Sequence, residues 1–274
     1  HESQWFPIPD SVSDEAAVLG DPFAVSLHAI LKAPPPADGT ALVYGCGTLG
    51  LLAIAILRNV YPALRVFAVA RYPHQAELAR LLGADRVFDH RPTKDLANAL
   101  AEETGSALNE PWMGLPMLNG GVDVVYDTVS SAETMEVALR VTRSLGSVVI
   151  IGVEPSKSFE WTPLYFKEIQ VVGSNGFGIE TFEGEHKHAM EWYFHFIEER
   201  GLDVTPIITH RFPMRGYREA FMACHDQGDS GEVGAQETPS SIAITIQPLN
   251  DSPTLELPTL SSLTAIGGGG AVLI

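Results

Sequence analysis

"VYGCGTLGLLAIAILR", residues 43–58, sets three glycines, Gly45, Gly47 and Gly50, between a short apolar run and a longer one. A strand that ends in a G-x-G-x-x-G turn and continues as a helix is the pattern of a dinucleotide fingerprint. In this pattern Gly45 permits the tight turn, Gly47 lets the backbone approach a pyrophosphate, and Gly50 lets the helix pack close to the sheet. The first N–H groups of the helix then point at the phosphates, aided by the positive end of the helix dipole. Cys46, inside the turn, reads as a small side chain at a variable position rather than a nucleophile, because no histidine lies nearby in sequence to activate it.

The next β-rich run, "RVFAVARYPHQ", ends about 20 residues after Gly50. An NAD site expects Asp or Glu at its end to accept hydrogen bonds from the ribose hydroxyls. Here the position is Ala70, followed at once by Arg71. A neutral residue followed by arginine removes repulsion against a 2′-phosphate and offers it a charge-assisted donor, and His74 could add a second. The expected cofactor is NADP, with NAD possible.

From residue 37 to about residue 174 short β-rich runs alternate with longer helical ones, as repeated βαβ units require. Strands are expected at Ala41–Tyr44, Arg65–Arg71, Arg86–Phe88, Val122–Tyr126, Ser147–Gly152 and Glu168–Gly173, with helices at Leu49–Asn59, His74–Leu82, Leu96–Glu103 and Ala132–Arg143. The fold class that follows is α/β, a doubly wound six-stranded parallel sheet of Rossmann-like type. Ahead of it, Ser13 is placed to cap one helix, with Asp14 and Glu15 in its first turn. Asp21 is placed to cap a second, Pro22 to Lys32, which the prolines at 34 to 36 end. The stretch Asn109–Gly121, rich in Gly, Asn and Pro, is expected to be an exposed excursion. Glu185–Arg200 has helical spacing, with Met190, Tyr193, Phe194 and Ile197 on one face. A strand and a helix follow in "VTPIITHRFPMRGYREAFMACHDQG". The expected organisation is a helical lead-in over residues 1–36, a dinucleotide-binding domain over 37–235, and a poorly ordered, irregular C-terminal tail over 236–274 with one strand at Ile242–Ile246.

Thirty-four acidic against 17 basic residues give a net charge of -17, which opposes nucleic acid and anionic membrane surfaces as partners. No stretch reaches the roughly 18 apolar residues of a membrane span. Two cysteines, Cys46 and Cys224, supply neither a disulfide framework nor a four-cysteine zinc site and fit a reducing cytoplasm. The chain starts at His1 rather than at a methionine, which suggests a fragment.

Taken together, "PIPDSVSDEAAVLGDPFAVSLHAI", "VYGCGTLGLL", "LARLLGAD", "GGVDVVYDTVSSAETMEVALRVTRSLGSVVIIGV" and "ITHRFPMRGYREAF" resemble the medium-chain zinc-dependent alcohol dehydrogenases, the sorbitol and threonine dehydrogenase-like members among them. The pieces occur in the family's order over about residues 7 to 225. The resemblance implies hydride transfer between a small alcohol or carbonyl substrate and a nicotinamide cofactor, with zinc polarising the oxygen. It implies that Gly45, Gly47, Thr48, Leu49 and Gly50 contact the pyrophosphate. It also implies that Thr128 and Val129 line the cofactor cleft, and that Val153 and Ser174 lie near the nicotinamide carboxamide. Asp21 resembles a position that supplies one ligand to the catalytic zinc; as an Asp before Pro it is equally an ordinary helix cap. The other zinc ligands belong in the family to an upstream domain with no counterpart here, so zinc is expected only where that domain is present, and the chain alone is expected to be inactive. Two other functions stay open: a non-catalytic, truncated nucleotide-binding module, and a zinc-free quinone reductase-like relative. Homo-oligomerisation through the strand Ile169–Ser174 follows by the same resemblance. His186, His188 and His195 read as a solvated face rather than a metal site, and His28 as a partly buried, satisfied histidine.

Overall fold

The computed structural model describes residues 5–111, 114–154, 158–225 and 242–245. The chain divides into two compact units, His1–Ile207 and Ile208–Ile274. In the first, α1 (Asp14–Ala17) and α2 (Gly20–Lys32) precede six strands: β1 (Thr40–Tyr44), β2 (Arg65–Ala70), β3 (Arg86–Asp89), β4 (Val122–Asp127), β5 (Thr142–Ile150) and β6 (Gln170–Gly173). Every neighbouring pair is parallel, and the order across the sheet is 3-2-1-4-5-6. Parallel neighbours need long crossovers. These contain α3 (Thr48–Val60), α4 (Pro73–Leu81), α5 (Thr93–Thr104), α6 (Ala132–Val141) and α7 (Thr162–Lys167).

Strand alternation sends β1 side chains to opposite faces. Leu42 and Tyr44 join Phe67, Val69 and Val125 against Leu96 and Leu100 of α5 and Val137 and Ala138 of α6. On the other face α3 is buried from Gly50 to Leu57, because it lies between the sheet and α2. Helix α8 (Ala189–Arg200) also packs on α2, with the Phe23 ring centroid 4.8 Å from that of Tyr193, tilted to it, and 5.3 Å from that of Phe196, edge to face. The second unit holds a strand, His210–Pro213, parallel to Ile242–Thr245, and α9 (Tyr217–His225). The expected tail otherwise falls outside the described residues.

Several local expectations need correction. Helix α2 starts at Gly20 with Leu19 at its cap, so Asp21 stands in the first turn instead of capping it. The cause is α1, which runs almost directly into α2: Leu19 donates to Ala16 O and Phe23 donates to Leu19 O, leaving no separate start for Asp21 to cap. Ser13 does cap α1, accepting from Ala16 N at 3.2 Å. The first residues of the Glu185–Arg200 stretch are a hairpin strand, Glu185–His188, antiparallel to Ile179–Phe182. The buried residues of α8 are Ala189, Trp192, Tyr193, Phe194 and Phe196, so Tyr193 and Phe194 face inward as expected, while Met190 and Ile197 are only half-buried, because the rings pack on Phe182 and Phe23. The excursion after α5 is pinned by a small hairpin, Ala107–Asn109 with Met117–Asn119, through the buried Leu118.

One buried cation joins α7 to α6. Lys167 is 5% exposed, and its Nζ donates to Arg140 O at 2.6 Å and Thr142 O at 2.7 Å, at the negative end of the α6 dipole. Burial, and then the charge of Arg140, push the Lys167 ammonium down to about 8. The unfolded chain therefore binds more protons than the folded one between about pH 8 and the free lysine value of about 10.4, and stability contributed by this group rises with pH across that window. Denaturant unfolding from pH 7.5 to 9.5 is expected to give that rise in the native protein and a flatter profile in Lys167→Met.

Candidate functional site

Strands β1 and β4 lie side by side at the centre of the sheet, where the chain winds outward in both directions. The crevice beyond their carboxyl ends is where open α/β sheets take ligands. Gly45 follows β1 with φ +93°, a left-handed conformation that favours glycine. Its N–H donates to Val69 O at 3.1 Å, which ties the turn to the end of β2. A methyl group on Gly45 would meet Thr128 Oγ1 at 2.6 Å and Val129 Cγ2 at 2.7 Å. One on Gly50 would meet the Gly45 carbonyl oxygen at 1.8 Å. Both glycines are thus required by the protein's own packing.

Gly47 is different. It caps α3 with φ -78° and ψ -169°, open to any residue, and a methyl group there would have nothing within 4 Å. The protein supplies no reason for glycine here, whereas a pyrophosphate held against the backbone would supply one. No side chain hydrogen-bonds at the α3 cap, and no acidic residue stands in its first turn. By contrast Ser131 caps α6, and His188 caps α8 in a capping box with Glu191. The positive end of α3, at Thr48, Leu49 and Gly50, therefore faces the crevice without an acidic side chain of its own.

The segment after β4 forms the opposite wall. Thr128 N donates to Tyr44 O at 3.0 Å, and the Thr128 hydroxyl lies 2.9 Å from Tyr44 O and 3.0 Å from Gly45 O. Thr128 thus fixes the glycine turn from behind, while Val129, 39% exposed, presents an apolar surface. Sequence reasoning missed Asp127, which holds this segment. Its fully buried carboxylate accepts from Val129 N at 3.0 Å, Ser130 N at 2.8 Å and Thr134 Oγ1 at 2.7 Å. Burial raises its carboxyl, while hydrogen bonds from Ser130, Thr134 and Val129 oppose the rise. These bonds retain Ser130 at φ +59°, a left-handed conformation that costs a non-glycine residue about 1–2 kcal/mol. The available signal was an Asp ending a buried strand seven residues before a helix-start Thr.

At the end of β2, Ala70 is buried and Arg71 is exposed, its guanidinium 5.5 Å from the Tyr72 ring, which stacks on His74. Cys46 is enclosed beneath the turn with Sγ 3.5 Å from Val69 O, and burial pushes its thiol up to about 12, the state of an unreactive cysteine. Val153, beyond β5, is 91% exposed. Ser174 donates its N–H to Ile150 O at 2.9 Å, and its buried hydroxyl has no hydrogen-bond partner among the described residues. Asp21 lies elsewhere, in the first turn of α2, and burial raises its carboxyl. No three His, Cys, Asp or Glu side chains converge as a metal site among the described residues, so Asp21 belongs to no three-ligand group there. Nor is any helix among them long and apolar enough to cross a membrane.

Comparison with known proteins agrees with this geometry. Residues 48–192 match the model of the zinc-binding dehydrogenase family. L-threonine 3-dehydrogenase of Yersinia pestis (strain Pestoides F) is 30% identical over 229 residues, 83% of this chain and 60% of that protein. The chain thus matches less than two thirds of that relative's length. The crystal structure of 2R,3R-butanediol dehydrogenase from Bacillus subtilis superposes with a TM-score of 0.68 at 25% identity, covering 89% of this chain and 60% of that one. A zinc-binding dehydrogenase from Sinorhizobium meliloti 1021, bound to NADP, shares the fold with a TM-score of 0.64 at 22% identity, covering 89% of this chain and 62% of that one. With its glycine turn, its six-stranded sheet and a family match over more than half its length, the chain belongs to the zinc-binding dehydrogenase family.

Proposed function

We propose that this chain is the cofactor-binding part of a zinc-type alcohol or polyol dehydrogenase, serving hydride transfer between a small alcohol and NADP. The observation that carries this reading is Gly47: of the three glycines in the turn it alone has open space where a side chain would stand. The bound dinucleotide supplies the hydride acceptor or donor. The chain's own residues bind and orient it. The amides at Thr48, Leu49 and Gly50 meet the pyrophosphate, Val129 packs along the cleft, Arg71 pairs with the 2′-phosphate, and Val153 and Ser174 bound the nicotinamide end. Asp21 is proposed as one zinc ligand. Alone it falls short of the three protein ligands a catalytic zinc takes, so the others must come from outside the described residues.

Self-association is proposed through β6. This outer strand carries no charged residue and leaves Val171 40% exposed, whereas the other outer strand, β3, carries Arg86 and Asp89. A lysine at an edge strand blocks pairing. Sedimentation is expected to give a dimer that Val171→Lys converts to monomer.

Calorimetric titration is expected to give tighter binding of NADP than of NAD, with Arg71→Ala reducing the ratio about tenfold, the value of one charge-assisted hydrogen bond. Tighter NAD binding, or a ratio untouched by Arg71→Ala, overturns the 2′-phosphate assignment. Gly47→Ala is expected to change unfolding free energy by less than about 1 kcal/mol while weakening NADP at least about tenfold. Gly50→Ala is expected to cost roughly 3 kcal/mol of stability. Unchanged NADP affinity in Gly47→Ala would remove the phosphate cradle.

A further inference from the structure

His90 follows β3 and lies beside the end of β2. Its N–H donates to Ala70 O at 2.8 Å, and the preceding Asp89 is in register with Ala70. Ala70 occupies the place where an acid would bind a ribose 2′-hydroxyl, so Arg71 and His90 flank the point at which a 2′-phosphate would sit. The ring is held from below: Tyr44, the last residue of β1, brings its buried hydroxyl to 3.2 Å from His90 Nδ1.

These contacts orient the ring and, with Tyr44 as donor, leave the ring's own hydrogen on Nε2. With the Tyr44 hydroxyl as the donor of this bond, Nδ1 is the acceptor; burial, then the charges of Glu133 and Asp127, raise Tyr44 above its ordinary value. A neutral imidazole with an acceptor Nδ1 carries its hydrogen on Nε2. Nε2 is 4.0 Å from Glu133 Oε2, beyond hydrogen-bond length, and the side chain is 35% exposed. The ring therefore offers an oriented donor to the mouth of the adenosine half. The other charges at this point are accounted for: Arg91 Nη2 is 3.4 Å from Asp89 Oδ2, Arg71 is exposed, and Glu133 is half exposed in the first turn of α6.

We propose that His90 is a second determinant of cofactor choice, its Nε2–H donating to the 2′-phosphate of NADP while Tyr44 positions the ring and Glu133 opposes the phosphate charge. This rests on the NADP reading above. The partner chemistry is a phosphate monoester on a ribose, so NAD, which lacks it, gains nothing from His90. His90→Phe keeps the ring and removes the donor; Tyr44→Phe keeps the shape of a buried side chain and removes the lock on the ring; Glu133→Gln removes a charge from an exposed position.

The test is calorimetric titration of the 274-residue chain with NADP and with NAD near neutral pH. His90→Phe is expected to lower the NADP-over-NAD affinity ratio about tenfold and Tyr44→Phe about threefold, while Glu133→Gln raises NADP affinity about twofold without moving NAD. A purely structural role for His90 would weaken both dinucleotides together. Equal losses, or an unchanged ratio in His90→Phe, overturn the inference and leave the wild-type NADP preference standing. A native chain that binds NAD as tightly as NADP instead overturns the cofactor reading on which the inference rests.

Discussion

The α-carbon of Gly50 lies so close to the Gly45 carbonyl that a methyl group between them would stand 1.8 Å from the oxygen. That approach sets how near α3 comes to the end of β1. Because α3 is also covered by α2, the same spacing fixes the layer that carries Phe23, Tyr193 and Phe196. Thr128 reinforces it from β4, and Asp127 in turn holds Thr128's segment by hydrogen bonds to the next two amides. A side chain at Gly50 would therefore disturb the crevice and one face of the core together.

The electrostatics have a similar local logic. A chain with net charge -17 repels a dinucleotide at long range. Attraction must come from positions where the acid is withheld: the first turn of α3 has none, and Ala70 stands where an acid would otherwise be. Acidic residues stand at several other helix starts, as Asp14, Glu15, Asp95 and Glu191 do, while α4 and α7 have none there.

The sheet and the turn were legible in the sequence because their signals are local and strong. Short apolar runs followed by 3.6-period segments can form little else than βαβ units, and Gly45, Gly47 and Gly50 stand at fixed offsets from a strand end. What escaped depends on partners distant in sequence. The strand Glu185–His188 is polar and has no alternating apolar pattern; it exists because Ile179–Phe182 pairs with it. The inward face of α8 turned on Phe23 and Phe182, so ring packing chose between two frames of the same helical period, taking Trp192 and Phe196 rather than Met190 and Ile197. Asp21 read as a cap because Asp-Pro usually is one, and only the run-on of α1 into α2 displaced it. Asp127 was missed because its signal, an Asp ending a buried strand shortly before a helix-start Thr, is weak; its meaning lies in the amides that turn back towards it.

The 3-2-1-4-5-6 order places the crevice on the seam between two halves of the sheet. One wall comes from residues 45–50 and the other from residues 127–130, which meet only once β1 and β4 have paired across nearly 80 intervening residues. A molecule bound there has no site on either half alone. Its affinity therefore adds directly to the free energy that separates the native state from the unfolded one, as RT ln(1 + [L]/Kd). A cell's cofactor concentration thereby becomes one of the quantities that set this protein's lifetime.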